Sequence, residues 1–252
     1  MKKYFRALMM SMTMFCAIPC PFHKWDDEAR PLMTLFLPAV GVWIGGLWTL
    51  LAFIVKMWLP LPAFVSGALL CAFPFVITGG IHIDGFLDVV DAVKSWRDLE
   101  ERRRILKDPH VGSFAVVFVI LLITAQFALF SSAEPTEWKS YFTLMLIAVV
   151  SRCVAALFVT VLRPMTTSEY AGAYRKGIKK SHVALLLIIL AAAVAAGFIF
   201  LGRYGFAAAA VIVGYVLALI RGFRSLGGMS GDISGFSLTF AELCGIAVYA
   251  LI

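Results

Sequence analysis

Seven apolar stretches dominate this chain and leave it few ways to fold. They run over Leu32–Trp58, Leu61–Thr78, Val111–Ser131, Tyr141–Leu162, Val183–Leu201, Tyr204–Ile220 and Phe236–Ile252. A helix rises about 1.5 Å per residue, so most of them reach across the ~30 Å of hydrocarbon in a bilayer. In lipid no water bonds the backbone, and segments of this length satisfy their own N–H and C=O groups as helices. The chain is 62% hydrophobic with a mean hydropathy of +0.92, against roughly half apolar in a soluble domain. Its charges, 15% of residues, are bunched between the apolar runs. The expected fold is all-α: a polytopic membrane bundle of about seven transmembrane helices, residues 1–252 making one integral membrane catalytic domain.

Turns and charge set the expected topology. Pro60 and Pro62 break the first pair of runs into a hairpin, Glu134, Pro135 and Glu137 mark a second turn, and Gly202-Arg203 a third. The segments Gly79–His110, Arg163–His182 and Arg221–Gly235 are longer and more charged. With the N-terminus inside, 18 of the 22 Lys and Arg fall on one side; Lys56, Lys139 and Arg203 fall outside and Arg152 lies within a span. The positive-inside rule then gives N-in, C-out, with every long polar loop cytoplasmic. The net charge of +7 is a one-sided feature that suits anionic lipid or phosphorylated substrates rather than nucleic acid. Met1–Cys20 superficially resembles a signal peptide, but Pro19 and Pro21 replace a small-residue cleavage site. The segment reads instead as a short helix on or dipping into the cytoplasmic face. Cys16, Cys20, Cys71, Cys153 and Cys244 have no metal-site spacing. Gly41 and Gly45, with Gly46 beside them, predict close helix packing.

The chemistry concentrates in residues 79–91, Gly-Gly-Ile-His-Ile-Asp-Gly-Phe-Leu-Asp-Val-Val-Asp. On a helix Asp84, Asp88 and Asp91 stand at i, i+4 and i+7 and share one face. Three carboxylates there would repel one another and be costly near lipid. A divalent cation removes both costs, and an oxygen-only donor set suits Mg²⁺ or Mn²⁺. His82 can orient a carboxylate, bind phosphate or move a proton. The competing reading is a solvated acidic face, but Phe86, Leu87, Val89 and Val90 place apolar surface around the carboxylates.

Three further sites join it. Lys107-Asp108 followed by Gly112 resembles a turn that holds phosphate against free backbone N–H groups at a helix start. Arg152, after Ser151, sits deep in an apolar run; it either pairs with an aspartate or contacts a phosphate. Gly227-Gly228-Met229-Ser230-Gly231-Asp232 opens the last run; its glycines admit close backbone approach and Asp232 can complete a four-carboxylate set. The alternative there is an ordinary interhelical turn. Together these residues suggest phosphoryl chemistry at a metal centre.

Residues 79–91 closely resemble the signature of the cobalamin 5′-phosphate synthase family, the adenosylcobinamide-GDP ribazoletransferases. The resemblance extends in order over nearly the whole chain: Ala-Ile-Pro-Cys-Pro ending at Pro21, Leu-Pro-Ala-Val-Gly and Ile-Gly-Gly within Phe36–Gly46, Ile105–Gly112, Ser151-Arg152 and Gly227–Asp232. Ser113-Phe114-Ala115 after the Lys-Asp block is a small departure. The resemblance implies a multi-pass enzyme of the bacterial cytoplasmic (inner) membrane, with its active site on the cytoplasmic face. Such an enzyme joins adenosylcobinamide-GDP to α-ribazole or α-ribazole 5′-phosphate, releases GMP and requires a divalent metal, normally Mg²⁺. It implies His82, Asp84, Asp88 and Asp91 as catalytic residues, with Asp84, Asp88, Asp91 and Asp232 around metal. Lys107, Asp108, Gly112, Arg152, Gly228 and Gly231 are the substrate-binding candidates. Association into a homo-oligomer is left open. A CDP-alcohol phosphotransferase is the nearest rival, but its Asp-Gly-x-x-Ala-Arg signature is not matched, since Asp84-Gly85 continues Phe-Leu-Asp. A cation-coupled transporter would put its carboxylates near the bilayer midplane, whereas here all but Glu242 lie at run ends or in loops.

Overall fold

The computed structural model describes residues 2–20, 25–59, 61–135, 137–166 and 178–252. Pro21, Lys24, Pro60, Arg175 and Lys176, which entered the turn and charge assignments, lie outside these residues. The fold is helical: α1 (Lys2–Phe15), a 3₁₀ segment (Arg30–Phe36) leading into α2 (Leu37–Phe53), α3 (Ala63–Ile77), α4 (Ile81–Lys94), α5 (Leu99–Ile105), α6 (Ser113–Ser132), α7 (Trp138–Val161), α8 (Lys180–Leu201), α9 (Phe206–Leu226) and α10 (Gly231–Leu251).

Five helical stretches have the length and hydropathy to cross a membrane: Arg30–Trp58, Ser113–Ser132, Trp138–Val161, Lys180–Leu226 and Gly231–Leu251. The pair α3 and α4 qualifies jointly but is bent by 89°. Within Lys180–Leu226 the chain turns back on itself at Gly202–Gly205. The rings of Phe198 and Phe206 lie 5.3 Å apart, whereas eight residues of continuous helix span about 12 Å.

The central helix is α7, whose 18-residue apolar window is 78% buried in protein, against 22% for α6. Small residues set its contact with α2. A Cβ added at Gly41 would lie 2.7 Å from the Ala148 carbonyl oxygen, and one at Gly45 would lie 2.7 Å from Met145 Cα. Gly46 faces open space. Thr49 donates to the Tyr141 carbonyl at 3.1 Å farther along the same seam. Trp48, fully buried, donates from its indole to the Leu70 carbonyl at 3.0 Å and so ties α2 to α3.

One end of the bundle gathers the polar segments. Gly79 and Gly80 take φ of +62° and +79°, a region side chains rarely adopt, and turn α3 sharply into α4. The Ala17 N–H donates to the Ile77 carbonyl at 2.7 Å, bringing the chain after α1 to the same bend. Residues 163–165 pair with Met229 through hydrogen bonds of 2.8 and 2.9 Å. From α5, Arg103 donates to the Leu226 carbonyl at 3.0 Å and Arg102 to the Ser225 carbonyl at 3.4 Å. Two members of the arginine run thus satisfy orphan carbonyls at the end of α9.

Gly45→Leu drives a side chain into the α7 backbone and should cost about 1–3 kcal/mol, the range for overpacking. Its thermal transition in detergent should fall below that of wild type, while Gly46→Leu leaves it unchanged. Equal transitions in both variants would contradict the assigned seam.

Candidate active site

The site is built where α4 crosses the start of α10. A Cβ on Gly85 would sit 2.8 Å from the Asp232 carbonyl oxygen and 2.9 Å from Asp232 Cα. One on Gly235 would sit 3.2 Å from the His82 carbonyl oxygen. The two helices therefore meet backbone to backbone, and Thr239 adds a 3.2 Å hydrogen bond to the His82 carbonyl. Ser230 caps α10 by accepting from the Ile233 N–H, and its hydroxyl donates to Asp232 at 3.2 Å.

This crossing joins two segments distant in sequence. Asp84, Asp91 and Asp232 all lie near enough to Asp88 to act on its charge, and Asp84 acts on Asp232. Asp84 is exposed and the other three are partly buried. Among the described residues no ion pair involves any of the four. Asp91 faces the α6 start: a Cβ on Gly112 would collide with both of its carboxylate oxygens. The Lys107–Gly112 turn therefore meets the acidic face through Gly112.

Other members of that turn stand outside the cluster. Lys107 and Asp108 are exposed. Asp108 accepts from the His110 N–H at 2.9 Å and from its ring at 2.7 Å, and these bonds hold the carboxyl below the usual carboxylate range. Gly228 packs against the chain after α7, where a Cβ would lie 2.6 Å from Met165 Cα. Gly227, at φ +75°, ends α9. Gly231 and Asp232 line the cavity.

That cavity, about 220 Å³, is walled by Phe15, His82, Asp84, Arg152, Asp232 and Ser234 among others. The His82 ring stacks on Phe15 with centroids 6.2 Å apart and planes 12° from parallel, and its buried Nε2 has no protein partner. α1 is thus a wall of the site, a role the sequence left open.

Arg152, 1% exposed, donates from Nη1 to Glu242 of α10, 5% exposed. Ser151 bonds the same carboxylate oxygen at 3.2 Å and accepts from Arg152 at 3.1 Å. Of the two alternatives left by the sequence, the pairing one holds with a different acid: the partner is Glu242, ten residues into α10 from Asp232, rather than an aspartate. Among the described residues Arg152 Nε and Nη2 remain buried without protein partners while the side chain lines the cavity. A lone acid within the last run and a lone base within the fourth were the available signal for this pair.

Among the described residues no three His, Cys, Asp or Glu side chains stand close enough to form a metal cluster by themselves. The donor chemistry nonetheless suits a hard cation: Asp84, Asp88 and Asp91 share one face of α4, Asp232 stands at the start of α10 across the helix crossing, and among the described residues none of the four has a cationic partner. Mg²⁺ commonly takes one or two carboxylates and completes its shell with water and substrate phosphate.

A helical bundle with five stretches long and apolar enough to cross a membrane, and a cavity lined by carboxylates beside its polar connecting segments, is of the class of polytopic membrane proteins. The profile of the Cobalamin-5-phosphate synthase family matches residues 7–250, and the chain belongs to that family. It is 36% identical over 248 residues to an adenosylcobinamide-GDP ribazoletransferase of Clostridium botulinum (strain Alaska E43 / Type E3), covering 98% of this chain and 97% of that protein. To the protein of the same name from Clostridium perfringens (strain 13 / Type A) it is 34% identical, with both chains fully covered. A Listeria monocytogenes (serotype 4a, strain HCC23) protein of that name is 28% identical over 98% of this chain and 97% of its own length. No solved structure matches the chain.

Removing one partner of a buried ion pair strands the other charge. Glu242→Ala should cost about 3–5 kcal/mol, read as a lowered unfolding midpoint in detergent. The Glu242→Ala/Arg152→Met double variant should recover much of that loss. A double variant as unstable as the sum of the singles would show that the two residues are not coupled.

Proposed function

We propose that this chain transfers the adenosylcobinamide phosphate of adenosylcobinamide-GDP to the 3′-hydroxyl of α-ribazole or α-ribazole 5′-phosphate. The products are GMP and adenosylcobalamin or its 5′-phosphate, in coenzyme B12 biosynthesis. The observation that carries the reading is the convergence of Asp84, Asp88 and Asp232 beside a cavity that also holds His82 and Arg152. Membership of the family supplies the reaction.

In the transfer, the bond between the cobinamide-side phosphorus and the GMP oxygen breaks. A bond from the ribazole 3′-oxygen to that phosphorus forms. Asp84, Asp88, Asp91 and Asp232 are the residues that would hold Mg²⁺ or Mn²⁺, which neutralises diphosphate charge and stabilises the leaving phosphate. His82, Asp84 and Asp232 line the cavity and are the bases available to the 3′-hydroxyl proton. Arg152, held by Glu242 through one nitrogen, keeps two N–H-bearing nitrogens, Nε and Nη2, for a phosphoryl oxygen. Lys107 is exposed at the entrance side of the same turn as Gly112 and adds positive charge there.

The membrane arrangement follows the same reading. The 202–205 reversal makes Lys180–Leu226 two passes, and α3 with its bend into α4 makes one more, for seven in all. The chain after α1 is tied to the α3–α4 bend, and α5 and the chain after α7 are tied to the junction of α9 with α10; the close approach of Gly85 to Asp232 brings the two groups to one end. Most basic residues flank those elements, which supports a reading with this end and the active site on the cytoplasmic face of the inner membrane, N-in and C-out.

Detergent-purified protein given adenosylcobinamide-GDP, α-ribazole 5′-phosphate and Mg²⁺ should release GMP and an equimolar corrinoid product on chromatography, and EDTA should stop both. Folded protein that makes neither product would sink the reading, and turnover of a nucleotide-diphosphate alcohol would favour the CDP-alcohol phosphotransferase instead. For topology, a cysteine introduced at Ser95 should label only from the cytoplasmic side and one at Glu134 only from outside; the reverse pattern would invert the orientation.

A further inference from the structure

The helix that carries the carboxylates has a second face. Phe86, Val89, Val90 and Val93 stand at i, i+3, i+4 and i+7 on α4 and line a separate groove of about 380 Å³. Its other walls are Phe118, Leu121 and Leu122 of α6 and Phe236, Phe240 and Leu243 of α10. The apolar window of α6 is only 22% buried in protein, and Leu121 is 58% exposed. The groove therefore opens sideways, toward lipid.

Its two charged wall residues are both basic. Lys94, at the last residue of α4, and Arg221, near the end of α9, both line the groove. Among the described residues neither makes an ion pair. The Lys94 ammonium lies 4.5 Å from the Phe118 ring centroid, which holds the cation at the mouth. α6 and α10 both begin at this end. From Phe236 to Leu243 the α10 wall continues inward for about 10 Å at the helical rise. The groove is thus apolar but for two cations, which have no counter-charge among the described residues.

We propose that this groove is a binding site for one anionic phospholipid, with an acyl chain along Phe86, Val90, Phe118 and Phe240 and the headgroup phosphate between Lys94 and Arg221. Charge complementarity selects the occupant: a zwitterionic lipid satisfies the apolar walls equally but leaves the two cations less well neutralised. Because α4 bears the carboxylates on its opposite face, the lipid packs behind the helix that builds the acidic site. The site stands independently of which reaction the acidic cavity performs.

The test is native mass spectrometry of the full chain released from mixed micelles of dioleoyl phosphatidylglycerol and dioleoyl phosphatidylcholine. Wild type should retain one phosphatidylglycerol in preference to phosphatidylcholine, on the order of tenfold. Lys94→Gln/Arg221→Gln should retain the two lipids equally. Leu121→Trp, at an exposed wall position, should retain neither. Inorganic phosphate should not displace the lipid, which separates a lipid site from a simple anion site. Equal retention of both lipids by wild type, an unchanged preference in the charge variant, or displacement by phosphate would each overturn the proposal. If the double variant does not fold, the single Lys94→Gln and Arg221→Gln variants carry the same reading, each with a reduced preference.

Discussion

The closeness of two backbones at Gly85 and Asp232 is the constraint on which the rest of the site depends. With no side chain at Gly85, α4 can lie against the first turn of α10, and Asp232, 147 positions later, joins the carboxylates of α4. Any larger residue at 85 would have to displace backbone rather than a flexible side-chain end. The crossing concentrates negative charge at a membrane boundary, where unpaired carboxylates are costly. Such a surface is tolerated when positive charge arrives with a ligand.

Arg152 and Glu242 anchor the same crossing from within the bundle. They bond α7 to α10 below the cavity, with Ser151 bridging them. A paired arginine would serve only structure if all its donors were used. Two of its nitrogens are left, and its side chain borders the cavity that holds His82 and Asp84. Structural and substrate roles, posed by the sequence as alternatives, are therefore compatible in one residue. α1 contributes in the same way, since Phe15 both packs in the core and stacks on His82.

Much of this was legible in the sequence because a bilayer permits so few backbone solutions. The apolar runs map closely onto α2, α3 and α6–α10, and Gly41 and Gly45 mark a real close contact. The i, i+4, i+7 spacing placed Asp84, Asp88 and Asp91 on one face because it needs only helix geometry. Relations between distant helices were less legible. Nothing local to Glu242 names Arg152, and nothing local to Arg102 and Arg103 shows that they cap α9. Gly228 reads the same whether a ligand or a neighbouring strand-like segment requires it; here the backbone of Met165 supplies a reason. The sharp α3–α4 bend was hidden too, because Gly79-Gly80 permits a turn without fixing its angle.

The central claim is that the acidic face of α4 performs chemistry rather than shaping the fold. Asp88 stands in the middle of that face, with the other three carboxylates around it. Asp88→Asn keeps the side chain's size and removes its charge. The direct measurement is GMP release by this variant across a Mg²⁺ titration, alongside its thermal transition. The account predicts turnover reduced by at least about 10²-fold at every Mg²⁺ concentration, with a transition no lower than that of wild type. Wild-type turnover from the variant, with an unchanged Mg²⁺ dependence, would contradict it.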